Sequence, residues 1–135
     1  MSEFIVRDDL LYHKKHFWVK RDSDIAIIGV TDFFQKLAGK FDYIELPEEG
    51  EFYKGDTSVG VVETGKWIGK IITPLSGRIL EINSILEDKP NTVNKDPYGE
   101  GWLFKIKSEN DNEFANLLNS KEIVALQEEE KKKYT

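Results

Sequence analysis

Short apolar runs separated by polar turn residues extend through most of the chain, a pattern typical of a protein built mainly from β-strands. The runs at 17–20 and 25–30 flank the polar segment from Arg21 to Asp24, which predicts a hairpin. Many short strands at near-regular spacing favour a sandwich or a flattened barrel, so the predicted fold class is mainly β. Further strands are predicted at 41–46, 58–63, 68–73, 78–83 and 102–106.

The first predicted helix is short and follows the first hairpin directly. Thr31 is placed to cap a helix over 32–38, and Gly39 is placed to end it in a left-handed conformation. A later segment, 88–98, contains Pro90 and Pro97 and is predicted to be mainly loop.

The C-terminal part of the chain has a different character. After residue 107 the spacing of apolar positions becomes helical, which predicts helices over 112–118 and 121–133 with Ser120 as the cap of the second. No linker is long enough to divide the chain, so one domain is predicted. It covers 1–135, with a core of about 12–107 and a helical tail at 108–135.

Composition and charge narrow the classes of function. Hydrophobic residues make up 39% of the chain and charged residues 33%, and no apolar stretch approaches the roughly 20 residues that a membrane helix needs. The N-terminal residues do not look like a secretory signal, so a cytoplasmic protein without a membrane partner is expected. A net charge of −6 argues against nucleic acid, because phosphate binding depends on Lys and Arg.

The residues that usually carry catalysis are scarce. The chain contains no cysteine, which excludes disulfides, thiolate nucleophiles and cysteine metal sites, so any sulfur chemistry must come from a cofactor. His13 and His16 are three residues apart, yet no other His or Cys completes a metal site. No serine has a histidine partner in a known motif. The sequence therefore predicts a protein that is not itself an enzyme.

One lysine stands at a position where another protein can reach it. The apolar runs 58–63 and 68–73 flank a short segment with Gly65 and Lys66, which predicts a hairpin with Lys66 at its apex. Gly65 is expected to take the positive φ of a tight turn. Trp67 is expected either to pack under a group attached to the lysine or to contact a partner protein. Because lysines are common at turns, this pattern alone does not distinguish an attachment point from an ordinary surface lysine.

The same segment partly matches a phosphate-binding loop. Residues 60–66 fit G-x-x-x-x-G-K, but the next position, which is Ser or Thr in the motif, is Trp67. The motif must also open a helix, whereas the residues on both sides of it are predicted strands. A nucleotide-hydrolysing enzyme is therefore disfavoured, and Mg²⁺-dependent binding of ATP or GTP would distinguish it.

Several segments, in the same order, resemble the H protein of the glycine cleavage system, a lipoyl-bearing carrier, over roughly 12–107. In this alignment Lys66 matches the family's lipoylated lysine, three residues after Glu63, as in E-S-V-K. Tyr12 to Val19 is similar to Y-x-x-x-H-x-W-V, and Gly29 to Gly39 is similar to G-I-T-D-x-A-Q-x-x-L-G. The other matching segments are Glu45 to Gly50, Gly55 with Asp56, Val61 to Lys66, Pro74 to Gly77, and Asn94 to Trp102.

The resemblance implies a fold and a cofactor. The fold is a barrel-sandwich hybrid, as in lipoyl and biotinyl carriers, with short helices and a C-terminal helix. The cofactor is lipoate, held covalently by an amide bond to Lys66, with Glu63, Thr64, Gly65 and Trp67 completing the attachment site. A biotin carrier is disfavoured because the M-K-M pattern around a biotinylated lysine is absent.

The resemblance also implies a set of partners for a monomeric carrier. In the family, glycine decarboxylase (P protein) loads an aminomethyl group onto the lipoyl arm. The aminomethyltransferase (T protein) removes the one-carbon unit, and dihydrolipoamide dehydrogenase (L protein) reoxidises the arm. A lipoate ligase or lipoyl transferase attaches the cofactor.

This sequence departs from the family pattern close to the lysine. Thr64 and Gly65 stand where Ser-Val is usual, Trp67 to Lys70 where small and acidic residues are usual, and Phe34 replaces a small residue. These differences are compatible with a divergent paralogue. The alternative hypothesis is therefore an H-like lipoate-binding protein that carries sulfur intermediates to a heterodisulfide-reductase-like complex. A binding module without lipoate is the remaining possibility.

Overall fold

The structure is a computed structural model that describes residues 3–134, without the side chain of Tyr134. Positions 1, 2 and 135, at the ends of the predicted domain, lie outside this range. The described strands are β1 Leu11–His13, β2 Phe17–Asp22, β3 Ile25–Val30, β4 Phe41–Glu45, β5 Phe52–Tyr53, β6 Ser58–Thr64, β7 Ile68–Ile72, β8 Gly77–Ile82 and β9 Phe104–Ser108. The helices are α1 Asp32–Ala38, α2 Ile85–Asp88, α3 Thr92–Lys95 and α4 Ser120–Lys131, with 3₁₀ turns at Asp111–Asn116 and Lys132–Tyr134.

The strands form two antiparallel sheets. One contains six strands in the order β1-β2-β3-β9-β8-β5, and the other contains three in the order β4-β6-β7. Apolar side chains of both sheets meet in one buried cluster that includes Ile28, Val62 and Ile106. The prediction of a mainly β, barrel-sandwich architecture with short helices and a C-terminal helix is confirmed. The described strands form two separate sheets rather than one closed barrel.

The first predicted hairpin is confirmed as β2 and β3. Its register places Phe17 opposite Val30 and Trp18 opposite Gly29. A side chain at Gly29 would overlap the indole of Trp18, so the absence of a Cβ there lets the ring lie flat on the neighbouring strand. Phe17 and Val19 point to the opposite face, into the main core, so both faces of the hairpin are buried at this end.

Helix α1 begins and ends as predicted. The Thr31 hydroxyl accepts a hydrogen bond from the Phe34 amide at 3.1 Å, which satisfies one of the free amides at the helix start. Gly39 follows the helix with φ of +92°, a conformation that residues with a Cβ rarely adopt. The chain can then turn sharply into β4.

The prediction that 88–98 is mainly loop is wrong over two short stretches. Helix α2 reaches Asp88, and α3 follows Pro90 by two residues. Proline can stand at or just before the first turn of a helix, because the first amides of a helix have no intrahelical acceptor. The Asn94 side chain accepts from the Phe41 amide at 2.9 Å and donates to the Gly39 carbonyl at 2.8 Å, so this segment fixes the end of α1.

The tail is helical, but its details differ from the prediction. The segment predicted as a helix at 112–118 is a 3₁₀ turn, and the cap of α4 is Asn119 rather than Ser120. The Asn119 side chain accepts from the Glu122 amide, and the Glu122 carboxylate accepts from the Asn119 amide, each at 2.9 Å. This reciprocal pair satisfies two amides at once, which a lone serine cap does not.

Helix α4 packs against the edge of the larger sheet. Ile123 is fully buried with Leu10, Tyr12 and Trp18, which we call the Trp18 cluster. Tyr12 and Leu118 also form an isolated antiparallel bridge. The strand β1, which the sequence analysis did not predict, is therefore held between β2 and the tail. Within residues 3–134, no helix is long and apolar enough to cross a membrane.

Candidate functional site

Lys66 lies at the tip of the hairpin formed by β6 and β7. Glu63 is paired with Ile68 at the end of the ladder, and the Thr64 amide donates to the Trp67 carbonyl at 2.8 Å. Lys66 is exposed between these paired residues. The hairpin and its apical lysine were predicted from the sequence, and the structure confirms both. Lipoyl attachment at Lys66 remains a prediction.

The expected role of Gly65 in the turn is wrong. Among the described glycines with positive φ are Gly39 and Gly50, and Gly65 is not one of them. A Cβ at Gly65 would have no heavy atom within 4 Å apart from its chain neighbours. The turn is closed instead by Thr64, whose hydroxyl accepts from the Lys66 amide at 3.4 Å. Gly65 therefore leaves open space beside the lysine.

The Lys66 side chain lies over the end of α1. A methyl group at Gly39 would lie 3.3 Å from Lys66 Cε and 3.9 Å from Nζ. Because Gly39 has no side chain, the lysine stem can approach the backbone closely at this point. The lysine amine is thereby directed along the protein surface near α1.

Trp67 forms the wall next to the lysine. Its ring lies over Gly69, where a Cβ would overlap it, and it meets the Phe34 ring edge-on at a centroid distance of 5.4 Å. The side chain is 40% exposed, so part of the ring is accessible to solvent. Phe34 and Trp67 are both bulky where the family pattern has small residues, and here they pack against each other.

A groove of about 870 Å³ opens beside this aromatic pair. A volume of this size lies within the range of small-molecule sites, roughly 300–1,000 Å³. The groove combines an apolar floor with charged groups at its rim. It is lined by Lys14, Lys15, His16, Phe33, Phe34, Leu37, Ala38, Lys66, Trp67, Leu126 and Glu130.

His16 joins the groove to the C-terminal helix. Its Nε2 lies 3.0 Å and 2.8 Å from the two carboxylate oxygens of Glu130. Burial lowers the pKa of His16, although the adjacent Glu130 acts in the opposite direction. The lowered pKa favours the neutral ring, in which the Nε2 proton is assigned to the bond with Glu130. His16 Nδ1 is buried and has no hydrogen-bond partner among the described residues.

The two histidines do not share a site. His13 Nε2 lies 2.6 Å from Asp56 Oδ1, and His13 Nδ1 accepts from the Lys15 amide at 3.1 Å, whereas His16 contacts α4. Among residues 3–134, no three His, Cys, Asp or Glu side chains are grouped so that they could hold a metal ion. Residues 60–66, which partly match a phosphate-binding loop, are not followed by the helix that this motif requires. The residues after Trp67 form the strand β7 instead.

Most of the groove was not identified from the sequence. Leu37, Leu126 and Glu130 come from two helices that are far apart in the chain, and nothing in their local pattern connects them to Lys66. Phe34 was singled out only as a departure from the family pattern. Two departures from the family pattern, Phe34 and Trp67, are both large and aromatic. This shared change was the sequence feature that could have indicated their contact.

Comparison with known proteins gives a consistent result. The family model described as Glycine cleavage H-protein matches residues 10–130. A glycine cleavage system H protein from Carboxydothermus hydrogenoformans is 41% identical over 126 residues, which cover 93% of this chain and 97% of that protein. One from Marinobacter nauticus is 41% identical over 121 residues, covering 89% and 92% of the two chains. The crystal structure of a glycine cleavage system H protein from Mycobacterium marinum superposes with a TM-score of 0.81 at 29% identity, covering 89% of this chain and 97% of that one.

Proposed function

Because the chain belongs to the glycine cleavage H-protein family, we propose that it is a non-catalytic carrier that holds lipoate in amide linkage to Lys66. The observation that carries this proposal is the exposed position of Lys66 at the tip of a two-stranded hairpin, where a modifying enzyme can reach its amine. The neighbouring Glu63, Thr64 and Trp67 fix the tip through strand pairing, the turn hydrogen bond and aromatic packing.

The residues present fit a lipoyl group. The Lys66 stem lies along α1 and lines the groove, whose floor is formed by apolar side chains such as Leu37, Phe34 and Leu126. Amide formation removes the positive charge of the lysine, which favours contact with an apolar surface. The lipoyl group supplies a redox-active disulfide, which this chain cannot supply because it has no cysteine.

Within the proposed function, the carried group is the aminomethyl unit and the partners are the P, T and L proteins of glycine cleavage. The protein part holds the arm, orients it and exposes it to each partner in turn. It performs no bond-making step of its own. The support for this assignment is the family membership and the position of the lysine.

Attachment is tested by the intact mass before and after incubation with lipoate, ATP and a lipoate ligase. We expect the unaltered chain to gain one lipoyl unit, and Lys66→Arg to gain none. Lys70→Arg is the matched control, because Lys70 is also an exposed lysine of the same hairpin. Modification of Lys66→Arg, or loss of modification in Lys70→Arg alone, would contradict the assignment.

The cargo is tested separately with lipoylated protein. We expect reconstitution with glycine decarboxylase to give exchange of glycine carboxyl carbon with bicarbonate, and the Lys66→Arg variant to give none. A fully lipoylated protein that supports no exchange with active decarboxylases would contradict the aminomethyl cargo while leaving the carrier role intact.

A further inference from the structure

The outer face of the six-stranded sheet is covered over only part of its area. Trp18 of β2 points to this face, where α4 packs Ile123 against it in the Trp18 cluster. Toward the β2–β3 turn the face is open within residues 3–134, because Ile25 is 37% exposed and Phe52, on the edge strand β5, is 47% exposed. The strands β3, β9, β8 and β5 therefore present a surface to solvent at this end of the sheet.

Four residues of this surface lie in one row across the strands. Ile25 of β3 is paired with Lys107 of β9, which is also paired with Arg78 of β8. Arg78 is in turn paired with Phe52 of β5. Residues paired directly across an antiparallel sheet have their side chains on the same face. This row, which we call the Lys107 row, therefore places two adjacent cations between two apolar side chains.

The two cations of the Lys107 row have no acidic partner. Both side chains are exposed, and within residues 3–134 neither Lys107 nor Arg78 forms an ion pair. Arg78 donates from Nη1 to the Gly50 carbonyl, which holds its guanidinium group at the edge of the sheet. Like charges directly opposite each other on neighbouring strands destabilise a sheet. The pair is therefore unfavourable for the isolated protein.

The acids on the same face of the sheet do not neutralise the Lys107 row. Glu81 of β8 forms an ion pair of 3.2 Å with Lys105, in the next row of the sheet. Asp22 is paired with Ile25, so it lies two strands away from Lys107. An uncompensated pair of cations is unusual on a chain whose net charge is −6. An anionic group of another molecule can compensate it.

The spacing of the Lys107 row matches an extended peptide laid across the strands. Neighbouring strands are about 4.8 Å apart, so the two apolar ends are separated by about 14 Å, with the midpoint between the cations at about 7 Å. In an extended peptide, the side chains at i, i+2 and i+4 point to one face and are spaced by about 7 Å. Apolar residues at i and i+4 with an acid at i+2 therefore coincide with the row.

We propose that the Lys107 row binds an extended segment of a partner protein with the pattern apolar-x-acid-x-apolar. The central carboxylate bridges Lys107 and Arg78, and the two apolar side chains cover Ile25 and Phe52, which removes exposed apolar surface from water. Because Lys66 lies at a hairpin tip of the other sheet, a segment bound to the row leaves this lysine accessible to a second protein.

Two other kinds of occupant fit the surface less well. Two cations release few counterions from a nucleic acid, and the net charge of −6 repels its phosphates. A second copy of the chain carries the same net charge, which opposes self-association.

Binding is tested by titrating isotopically labelled, unlipoylated protein with the capped pentapeptide leucine-serine-glutamate-serine-leucine and following the backbone amide resonances. One matched peptide replaces the glutamate by lysine, and another replaces both leucines by serine. We expect shifts confined to the Lys107 row and its neighbours. Each matched peptide should bind at least about fivefold more weakly, because it lacks either the charge attraction or the apolar contacts.

The variant Lys107→Glu separates binding from folding. It places opposite charges across from each other, so it should raise the free energy of unfolding while weakening the glutamate peptide by about fivefold. Lys14→Glu is the matched control, because Lys14 is an exposed lysine of the β1–β2 turn, outside the row. It changes the net charge equally and should leave peptide binding unchanged.

The inference is overturned if the three peptides bind equally, if millimolar peptide shifts no resonance of the row, or if Lys107→Glu binds the glutamate peptide as well as the unaltered chain. Tighter binding of a single-stranded oligonucleotide than of the glutamate peptide would replace the partner segment by nucleic acid. A dimer in sedimentation that Lys107→Glu abolishes would replace it by a second copy. None of these measurements requires modification of Lys66, so their failure is distinct from failure of the proposed function.

Discussion

Two tryptophans of this protein each cover a glycine, yet their surroundings differ. Trp18 lies on Gly29 of the neighbouring strand, is 2% exposed, and donates from Nε1 to the Pro97 carbonyl at 2.9 Å. Trp67 lies on Gly69 of its own hairpin, is 40% exposed, and meets Phe34 edge-on. The same pairing of ring and glycine stabilises the fold in the Trp18 cluster and shapes one wall of the groove.

Helix α4 contributes residues to both the Trp18 cluster and the groove. Ile123 of α4 is fully buried in the Trp18 cluster, whereas Leu126 and Glu130, further along the same helix, line the groove. Firm packing at one end fixes the helix, so its other end can present partly exposed groups at a defined position. Packing in the Trp18 cluster and lining of the groove are thus separated along the length of α4.

The largest expected effect comes from removing the two tryptophans in turn. Trp18→Ala should lower the free energy of unfolding by about 3–5 kcal/mol, because it leaves a cavity in a fully buried cluster. Trp67→Ala should lower it by about 1 kcal/mol, because much of that ring is already in water. Urea unfolding of both variants measures the difference. Similar losses for the two variants would contradict the separation of roles.

A smaller effect is expected at the two glycines. Gly29→Ala places a methyl group against the buried Trp18 ring and should lower the free energy of unfolding by about 1–3 kcal/mol. Gly69→Ala meets the Trp67 ring, which can move toward solvent, so the loss should stay below about 1 kcal/mol. The Trp67 indole resonance should shift in Gly69→Ala. An unshifted resonance would show that the ring does not lie on Gly69 in solution.

The smallest expected effect is a pH dependence that belongs to the groove. Burial lowers the pKa of His16 below its usual 6.5, so below about pH 6.5 the unfolded chain binds more protons than the folded one. Stability is therefore fully present above that pH and falls below it, by at most about 1.4 kcal/mol per pH unit. In the Trp18 cluster, burial raises the pKa of Tyr98, whose ring contacts Trp18. The Tyr98 hydroxyl therefore stays protonated near neutral pH and adds nothing to the pH dependence of stability there.

The measurement compares the unaltered chain with His16→Gln by urea unfolding at about pH 7.5 and about pH 5.5. The variant should lose less stability on acidification, because glutamine does not titrate. An identical decline in both proteins would assign the pH dependence to other groups.

Predictions from the sequence are confirmed where the structure is determined by neighbours in the chain. The hairpins, the Thr31 cap and the apical position of Lys66 follow from local alternation and turn residues. The predicted cap of α4 is wrong because Asn119 and Ser120 can both cap a helix, and Asn119 does so. The positive φ predicted for Gly65 is also wrong, since the Thr64 side chain closes the turn.

The β-rich class, the lysine at the hairpin tip and the absence of any thiol in the chain follow from the order of the residues alone. The surroundings of that lysine depend on how distant segments pack together. His16 and Glu130 are 114 residues apart, and Phe34 meets Trp67 only after α1 packs beside the hairpin. Local preferences fix strands and turns because they act between neighbouring residues, whereas a groove exists only when distant apolar surfaces are buried together.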